Sequence, residues 1–170
     1  ETAIKDYLKL IYNINNIIPN CGISHDMIVG FPNETESDHQ ETLKLMDNVK
    51  YSFGYMFKYS ERPGTLAAKK FDDNVDEIVK SRRLSEIISL QQKHSLYRNK
   101  HYMNDVVEVL IEKESKKSKS KWAGRNQQNT TVVFPKENYK IGDFVNVRIN
   151  NYTSATLIGE AVSYSKHNIL

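Results

Sequence analysis

The stretch MIVGFPNETESD, Met27 to Asp38, decides the fold of the first half of the chain. A short apolar run ends at Gly30, a proline follows, and the segment then turns to acids and hydroxyl residues. An apolar run of this kind is typical of a strand buried in a parallel sheet. Thr35 with an acid three residues later is typical of a helix start. The stretch therefore predicts a buried strand, a tight loop and a helix in direct succession.

The first hundred residues repeat this alternation. Apolar residues at helical spacing predict a helix that Pro19 ends. Strict alternation in YSFGYMFKYS predicts a second strand with five aromatic residues on one face: Tyr51, Phe53, Tyr55, Phe57 and Tyr59. After the turn-rich segment ERPGTLAAKK, Asp72 and Asp73 are expected to open a long helix whose apolar residues are Val75, Ile78, Val79, Leu84, Ile87 and Ile88. This order predicts an α/β domain with parallel strands over residues 1–96.

Residues 97–165 follow a different pattern. The segments VVEVLIE, NTTVVFP, IGDFVNVRIN and ATLIGEAV are short, β-branched and alternating, with turn residues between them, and KWAGR is a candidate fifth strand. Four or five strands in about 65 residues predict a small closed β-barrel of the OB type. The sequence therefore predicts two domains, the first α/β and the second all-β.

Composition narrows the function classes. No apolar run approaches the roughly 20 residues of a membrane span, and no signal peptide is recognisable, so we expect a cytoplasmic protein without a membrane partner. The single cysteine, Cys21, excludes an internal disulfide and any multi-cysteine metal site within this chain. The net charge of +3 is uneven, because residues 113–125 alone hold six basic residues and one acid.

The end of the first strand is a candidate ligand site. In parallel α/β folds, ligands bind outside the carboxyl ends of the strands. Gly30 permits a close approach of a flat ligand, and the helix that begins at Thr35 directs free N–H groups at the same edge. The alternative is that a strand-to-helix connection needs a Gly-Pro turn in any case.

Several motifs in unbroken order resemble one family. DMIVGFPNETESDHQETL, followed by YMFKYSERPGTLAAK, resembles the second half of the barrel of radical S-adenosylmethionine methylthiotransferases. VLIEKESKKSK, GRNQQN, IGDFVNVRI and ATLIGE resemble the TRAM module that follows that barrel. Among the branches, the MiaB-type enzymes, which act on adenosine in tRNA, are the most similar. Arg62 stands where the branch acting on a ribosomal protein is expected to carry an acid.

The resemblance implies a cofactor, a reaction and partners. The expected enzyme methylthiolates C2 of N6-isopentenyladenosine beside the tRNA anticodon, using S-adenosylmethionine and two 4Fe-4S clusters, with an electron donor protein. It implies that Ile28, Val29 and Gly30 lie under the adenine of S-adenosylmethionine. Arg62 is implied as a substrate contact, the alternative being a surface loop charge. Asn33 replaces the family's usual Gly, and the turn is expected to survive because Asn tolerates left-handed φ.

The chemistry cannot be complete within this chain. The resemblance implies that three cysteines hold each cluster, since thiolates are the ligands that such clusters take. This sequence has one cysteine, so no catalytic residue and no metal ligand is assigned to it. Two parallel strands also leave an open sheet edge. We therefore expect the chain, which would begin in mid-helix at Glu1, to be the C-terminal part of a longer enzyme. Two alternatives stay open, a methylthiotransferase for N6-threonylcarbamoyladenosine and a non-catalytic RNA-binding module.

The basic segment KESKKSKSKWAGR is the candidate RNA site of the second domain. Serines between the lysines can donate to phosphate oxygens, and an aromatic beside a basic run on an OB-type barrel suits stacking on unpaired bases. The candidates, at the anticodon stem-loop of tRNA, are Lys116, Lys117, Lys119, Lys121, Trp122 and Arg125. The alternatives are a solvated hairpin and, for Trp122, a place in the barrel core.

Overall fold

A computed structural model describes residues 2–162. The elements, in chain order, are α1 (Thr2–Ile17), β1 (Ser24–Val29), α2 (Glu36–Val49), β2 (Phe53–Lys58), α3 (Leu66–Lys70), α4 (Glu77–Lys100), β3 (Val106–Ser115), β4 (Ser118–Arg125), β5 (Thr131–Pro135), β6 (Phe144–Tyr152) and β7 (Leu157–Ala161). The chain divides between Ser95 and Leu96 into two compact units, which we name the sheet unit and the barrel unit. Glu1 and the predicted end of the second domain at residue 165 lie outside the described residues.

The sheet unit is built on a two-stranded parallel sheet. Strands β1 and β2 pair in register from Ser24 opposite Phe53 to Val29 opposite Lys58. The α/β pattern with parallel strands is therefore confirmed. The core of the unit comprises Ile11, Val29, Met46, Val49, Tyr51 and Ile87.

The other face of this sheet is open and carries large apolar side chains. Ile28, Tyr55 and Phe57 are 60%, 62% and 56% exposed, and Ile28 lies directly opposite Phe57. The predicted aromatic face holds for Tyr55 and Phe57. It is wrong for Tyr51, which precedes β2 and is buried in the core, and for Tyr59, which follows β2 and is 8% exposed.

Helix α2 begins as the sequence predicts. The Thr35 hydroxyl accepts a hydrogen bond from the Asp38 N–H at 3.2 Å, and the Thr35 N–H donates to the Asp38 carboxylate at 2.8 Å. This capping box satisfies two N–H groups that the first turn would otherwise leave unpaired. The helix ends at Lys50, which has left-handed backbone.

Helix α4 differs from the prediction in its start and in its buried face. It begins at Glu77 and not at Asp72, and a short helix, α3, interrupts the loop before it. Ile78, predicted on the apolar face, is 79% exposed. The side chains that the helix buries are polar apart from Ile87 and recur at helical spacing: Lys80, Arg83, Ile87, Gln91, His94, Ser95 and Asn99. Polar partners on the neighbouring segments, and not the apolar pattern of the sequence, therefore decide which side chains of this helix are buried.

The barrel unit is a closed five-stranded barrel in the order β3-β4-β5-β7-β6, with β6 pairing back to β3. All pairs are antiparallel except β5 with β7. The nine core side chains are Val109, Ile111, Trp122, Val132, Phe134, Val145, Val147, Ile149 and Leu157. The predicted closed barrel and the KWAGR strand are confirmed. The lysine-rich segment is not a loop, because only Lys116 and Lys117 form the turn between β3 and β4.

Candidate functional sites

The loop after β1 is held in place by its own glutamate. The Glu34 carboxylate accepts hydrogen bonds from the N–H groups of Gly30 and Phe31, the second at 3.1 Å. Gly30 and Asn33 both have positive φ, 71° and 68°. Both conformations favour the residue types found there, because Gly has no Cβ and Asn tolerates left-handed backbone. The expectation that Asn33 preserves the turn is confirmed.

Gly30 is required for a second reason, which is Lys80. A Cβ added at Gly30 would lie 2.3 Å from Lys80 Cγ, so the lysine stem fills the space that a side chain would need. Lys80 is 1% exposed, and its ammonium lies 2.6 Å from Asp73 and 3.0 Å from Glu77. Burial lowers the pKa of Lys80, but its hydrogen bonds to both carboxylates outweigh that effect and raise the pKa above its ordinary value. Lys80 therefore stays charged and fixed behind the loop.

A pair of asparagines joins the loop after β1 to the segment before α4. The Asn33 N–H donates to the Asn74 side-chain oxygen, and the Asn74 amide donates to the Asn33 side-chain oxygen, both at 2.8 Å. Together with the Lys80–Asp73 pair, these contacts form what we name the strand-end clamp: Asn33, Asn74, Asp73 and Lys80. The clamp fixes two loops at the carboxyl end of the sheet.

Charged residues of α4 hold the start of α2 from behind. Arg83, 3% exposed, donates to the Glu34 carbonyl at 3.0 Å and approaches the Glu36 carboxylate at 3.3 Å. Arg82 binds the Glu36 carboxylate at 2.6 Å and is the main cause of a Glu36 pKa of about 2. The buried His39 ring contacts Glu86 at 2.6 Å. This network orients the helix whose N-terminus adjoins the candidate ligand edge.

The three predicted cofactor residues at the end of β1 do not all face the same side of the sheet. Ile28 is exposed on the open sheet face, whereas the Val29 side chain is 1% exposed and packs in the core. Gly30 is buried against Lys80. A flat ligand on the open face could therefore contact the Ile28 side chain, but of Val29 only the backbone. Arg62 is exposed in the loop after β2, where its carbonyl accepts a hydrogen bond from the Thr65 hydroxyl at 2.8 Å.

In the barrel unit, the candidate RNA residues lie on the hairpin of β3 and β4, residues 113–125, which we name the lysine hairpin. Lys116, Lys117 and Lys119 are exposed and Lys121 is half-buried. Within residues 2–162 none of these four lysines forms an ion pair with an acid. At the base of the hairpin, Glu114 is neutralised by Lys136, which holds the Glu114 pKa below its ordinary value. The hairpin therefore presents uncompensated positive charge.

Two candidates have structural roles that the sequence did not predict in full. Trp122 is 6% exposed in the barrel core, with the Lys136 ammonium 4.3 Å from its ring centroid, so the core alternative is correct and the exposed stacking platform is wrong. Arg125 donates to the Asn129 carbonyl at 2.8 Å and lies 3.5 Å from Glu112. Arg125 therefore holds the turn after β4, while its side chain remains 42% exposed.

Sequence reasoning missed Glu34, Asn74, Lys80 and Phe144. Lys80 and Arg83 fall in helical register with Ile87, and that spacing is a signal for a buried polar stripe. The alternation of IGDFVNVRIN is a signal for Phe144, because successive side chains of a strand point to opposite faces and Phe144 therefore points outward if Val145 points into the core. For the Asn33–Asn74 pair the sequence holds no signal, because the partners are 41 residues apart.

Comparison with known proteins gives one domain and one group of relatives. Residues 100–162 match the TRAM domain family. The chain is 61% identical over 96% of its length to a tRNA-2-methylthio-N(6)-dimethylallyladenosine synthase of Christiangramia forsetii, and covers 34% of that protein. It is 60% identical to the synthase of Flavobacterium johnsoniae over the same shares of both chains. It is 54% identical over 93% of its length to the synthase of Chloroherpeton thalassium, and covers 35% of it.

These similarities confirm the resemblance to the methylthiotransferases and the TRAM module that the motifs predicted. The chain spans about a third of the length of the curated relatives it matches, and the match lies in their C-terminal part. Within residues 2–162, none of the helices combines the length and apolar character of a bilayer crossing.

Proposed function

We propose that this chain is part of a radical S-adenosylmethionine enzyme that methylthiolates C2 of N6-isopentenyladenosine in tRNA. The observation that carries the proposal is 61% identity over 96% of the chain to a relative named for that product. The sheet unit would form one part of the enzyme's barrel, and the barrel unit would hold the tRNA. We place the enzyme in the cytoplasm, with an electron donor protein as a further partner.

The open face of the sheet supports a place in a larger barrel. Parallel sheets are almost always covered on both faces, whereas Ile28, Tyr55 and Phe57 are more than half exposed here. Further strands beside β1 and β2 would complete the sheet, and the exposed face would then become the barrel interior. That interior is where ligands of such folds meet the strand ends.

The residues at the strand ends fit the adenosyl part of S-adenosylmethionine. Ile28 offers an exposed apolar side chain at the carboxyl end of β1, next to Gly30, whose Cβ side is filled by the Lys80 stem. Glu34 already occupies the N–H groups of Gly30 and Phe31, so Ile28 and the Val29 backbone would make the contacts and the strand-end clamp would hold the loop rigid. When bound, the cofactor would supply the methyl group and the radical that removes hydrogen from C2.

The iron–sulfur clusters do not fit this chain. A 4Fe-4S cluster takes thiolate ligands, and the sequence contains one cysteine, Cys21. Within the described residues no three His, Cys, Asp or Glu side chains are grouped to hold a metal ion. In the proposed enzyme the cluster ligands would therefore come from cysteines that are not in this sequence.

The barrel unit would bind tRNA through the lysine hairpin. Lys116, Lys117, Lys119 and Lys121 carry no ion pair within residues 2–162, and Arg125 keeps part of its guanidinium exposed. Phosphate contacts by such residues release counterions, so their binding energy falls as salt rises. Arg62, exposed at the mouth of the sheet unit, is the remaining candidate for a substrate contact.

A chimera tests the activity. The corresponding C-terminal third of the Christiangramia forsetii synthase would be replaced by this chain, and tRNA modified by the chimera would be digested to nucleosides. We expect the mass gain of a methylthio group on N6-isopentenyladenosine. A folded, cluster-loaded chimera that leaves this nucleoside unchanged would contradict the proposal, and methylthiolation of N6-threonylcarbamoyladenosine instead would favour the other branch.

Salt titration tests the RNA contact in the 170-residue chain itself. Replacing Lys116, Lys117 and Lys119 together by alanine should weaken binding of an anticodon stem-loop RNA. It should also flatten the slope of log K against log salt by about two, at roughly 0.7 per phosphate contact. The matched control replaces three exposed lysines of the sheet unit, Lys5, Lys9 and Lys93, which changes net charge equally. Equal effects of both triple variants would mean that only net charge matters.

A further inference from the structure

One outward face of the barrel combines an exposed aromatic ring with basic residues. Phe144 is 66% exposed, the highest value for a large apolar side chain within the described barrel strands. Val145, Val147 and Ile149 of the same strand are buried in the core. Because successive side chains of a strand point to opposite faces, Phe144 points outward.

The neighbouring strands place cations on the same face as this ring. Phe144 lies opposite Leu110 on β3, and Leu110 lies opposite Arg125 on β4. With strands about 4.8 Å apart, Phe144 and Arg125 are separated by roughly 10 Å across the face. Along β4, Trp122 faces the core, so Lys121 and Lys119 point to the same side as Arg125. The basic row from Arg125 to Lys119 is about 20 Å long at roughly 3.3 Å per residue.

Acidic residues lie at the border of this face, but they do not cancel its positive charge. Glu112, in the irregular part of β3, lies 3.5 Å from Arg125 and leaves that side chain 42% exposed. Glu108 faces outward two residues before Leu110, opposite Asn146. Lys119 and Lys121 form no ion pair within residues 2–162, so the charge remains positive on the side of the lysine hairpin.

The chemistry of this face fits single-stranded nucleic acid better than a protein. Protein interfaces are depleted of charge at their centre, where aromatic residues cluster. Here one ring, with no ring contact to another aromatic residue in the described part of the chain, lies roughly 10 Å from Arg125, at the end of a row of cations that continues to Lys119. Every nucleobase has a flat face that can stack on such a ring, and the adjoining phosphates need cations at strand spacing.

We propose that Phe144 stacks on an unpaired nucleobase of bound RNA while Arg125 contacts a neighbouring phosphate and Lys121 and Lys119 contact phosphates further along the same strand. This rests on the proposed function, because it assigns the base contact of the same RNA surface. It gives to Phe144 the stacking role that the sequence suggested for Trp122.

The experiment compares two RNA probes on the 170-residue chain. One probe is an anticodon stem-loop with 2-aminopurine in the loop, and the other is a fully paired duplex of equal length. Phe144→Ala should weaken stem-loop binding about 5- to 150-fold, which is the measured range for loss of one base–aromatic stack. The salt slope should not change, and duplex binding should stay at the wild-type value. Quenching of 2-aminopurine by the wild type should be lost.

Substitutions at the same site separate stacking from apolar contact. Phe144→Trp should keep the affinity, whereas Phe144→Leu should lose it, because leucine buries apolar area without a π face. Tyr12→Ala in α1, at 65% exposure, is the matched control for removal of an exposed ring. Trp122→Phe, which keeps the core filled, should retain wild-type affinity. Circular dichroism of the Phe144 variants should show the wild-type fold, since Phe144 packs little, and the same measurement is the folding control for Trp122→Phe and Tyr12→Ala.

Two failures can be told apart. If the wild type binds the stem-loop but Phe144→Ala or Phe144→Leu binds it equally well, the stacking role is overturned while the proposed function stands. Equal loss on the duplex and the stem-loop would also overturn it, because paired bases offer no free face. A wild-type chain that binds neither probe at low salt overturns both the stacking role and the RNA contact of the lysine hairpin, and the chimera decides separately about the activity.

Discussion

The two units of this protein solve the problem of a sheet's exposed surface in different ways. The barrel closes, β6 pairing back to β3, so its nine core side chains are enclosed by its own strands. The sheet of the sheet unit has two strands and buries one face, and Ile28, Tyr55 and Phe57 remain more than half exposed on the other. Closure makes a domain self-sufficient, whereas an open parallel sheet is stable only to the extent that one face and its helices allow.

The two units also differ in how many polar side chains they bury. Helix α4 of the sheet unit buries Lys80, Arg83, Gln91 and His94, and each has an acid, an amide or a carbonyl as a partner. The hydrophobic core cluster of the barrel holds one polar group, the indole N–H of Trp122, and the buried amides of Asn99 and Asn126 lie outside that cluster. Buried polar networks are costly when one partner is lost. The sheet unit should therefore be the more sensitive to substitution of single polar residues and to pH.

The largest expected effect comes from matched isoleucine truncations, one in each unit. Ile149 of the barrel and Ile87 of the sheet unit are both 0% exposed. Changing either to alanine should cost about 2–5 kcal/mol of unfolding free energy. Hydrogen exchange should show faster exchange in β6 for Ile149→Ala and in β1 for Ile87→Ala, with the other unit unchanged. Loss of protection in both units from either variant would show that they unfold together.

A smaller effect is expected from the helix cap of the sheet unit. Thr35→Ala removes the hydroxyl that accepts from the Asp38 N–H and should destabilise the sheet unit by about 1 kcal/mol. Thr65 makes the same contact with Ala68 at the start of α3, a five-residue helix without buried residues. Urea titration of both variants should therefore show a smaller change in the unfolding midpoint for Thr65→Ala than for Thr35→Ala. A larger effect at Thr65 would contradict the assigned importance of the α2 cap.

The smallest expected effect is a dependence of the sheet unit on mild acid. Burial lowers the pKa of His25, and its hydrogen bond to Gln91 offsets this only in part. Because the unfolded chain binds the proton more readily, stability is full above the unfolded pKa of about 6.5 and is lost as pH falls through the lower folded pKa. The barrel strands contain no histidine, so the exchange protection of β6 should not change over this window.

A variant checks the assignment. His25→Gln has no group that titrates there and should flatten the pH dependence of sheet-unit protection between pH 7 and the folded pKa. An unchanged pH dependence in this variant would assign the effect to another group.

Local signals predicted the elements well where they were strong and repeated. The Thr35–Asp38 capping box, the strand that ends at Gly30 and the β-branched strands of the barrel are fixed by residues close in the chain. The prediction failed where residues far away in the sequence decide whether a side chain is buried. Lys80 is buried because Asp73 and Glu77 neutralise it and Gly30 leaves room for its stem. Ile78, apolar and at helical spacing, is 79% exposed.

The candidate sites divide in the same way. The excess of lysines between residues 113 and 125 is a property of the sequence, and that excess is enough to indicate a surface for a polyanion. Which aromatic residue accompanies it is decided by the strand register. Trp122 and Phe144 both lie in alternating segments, and the pairing of β4 with β5 places Trp122 opposite Phe134 inside the barrel.

The sequence by itself indicated the order of the elements apart from α3, the two-part organisation, the resemblance of the motifs to one family and the site of positive charge. These depend on residue types and spacings that act over a few positions. The tertiary structure alone decided that Gly30 is backed by the buried Lys80 side chain, that Asn33 and Asn74 join two loops, and that Phe144 and Arg125 lie on the same face of the barrel, both opposite Leu110. Such pairings depend on contacts between residues tens of positions apart, and only closure of the chain around a core brings them together.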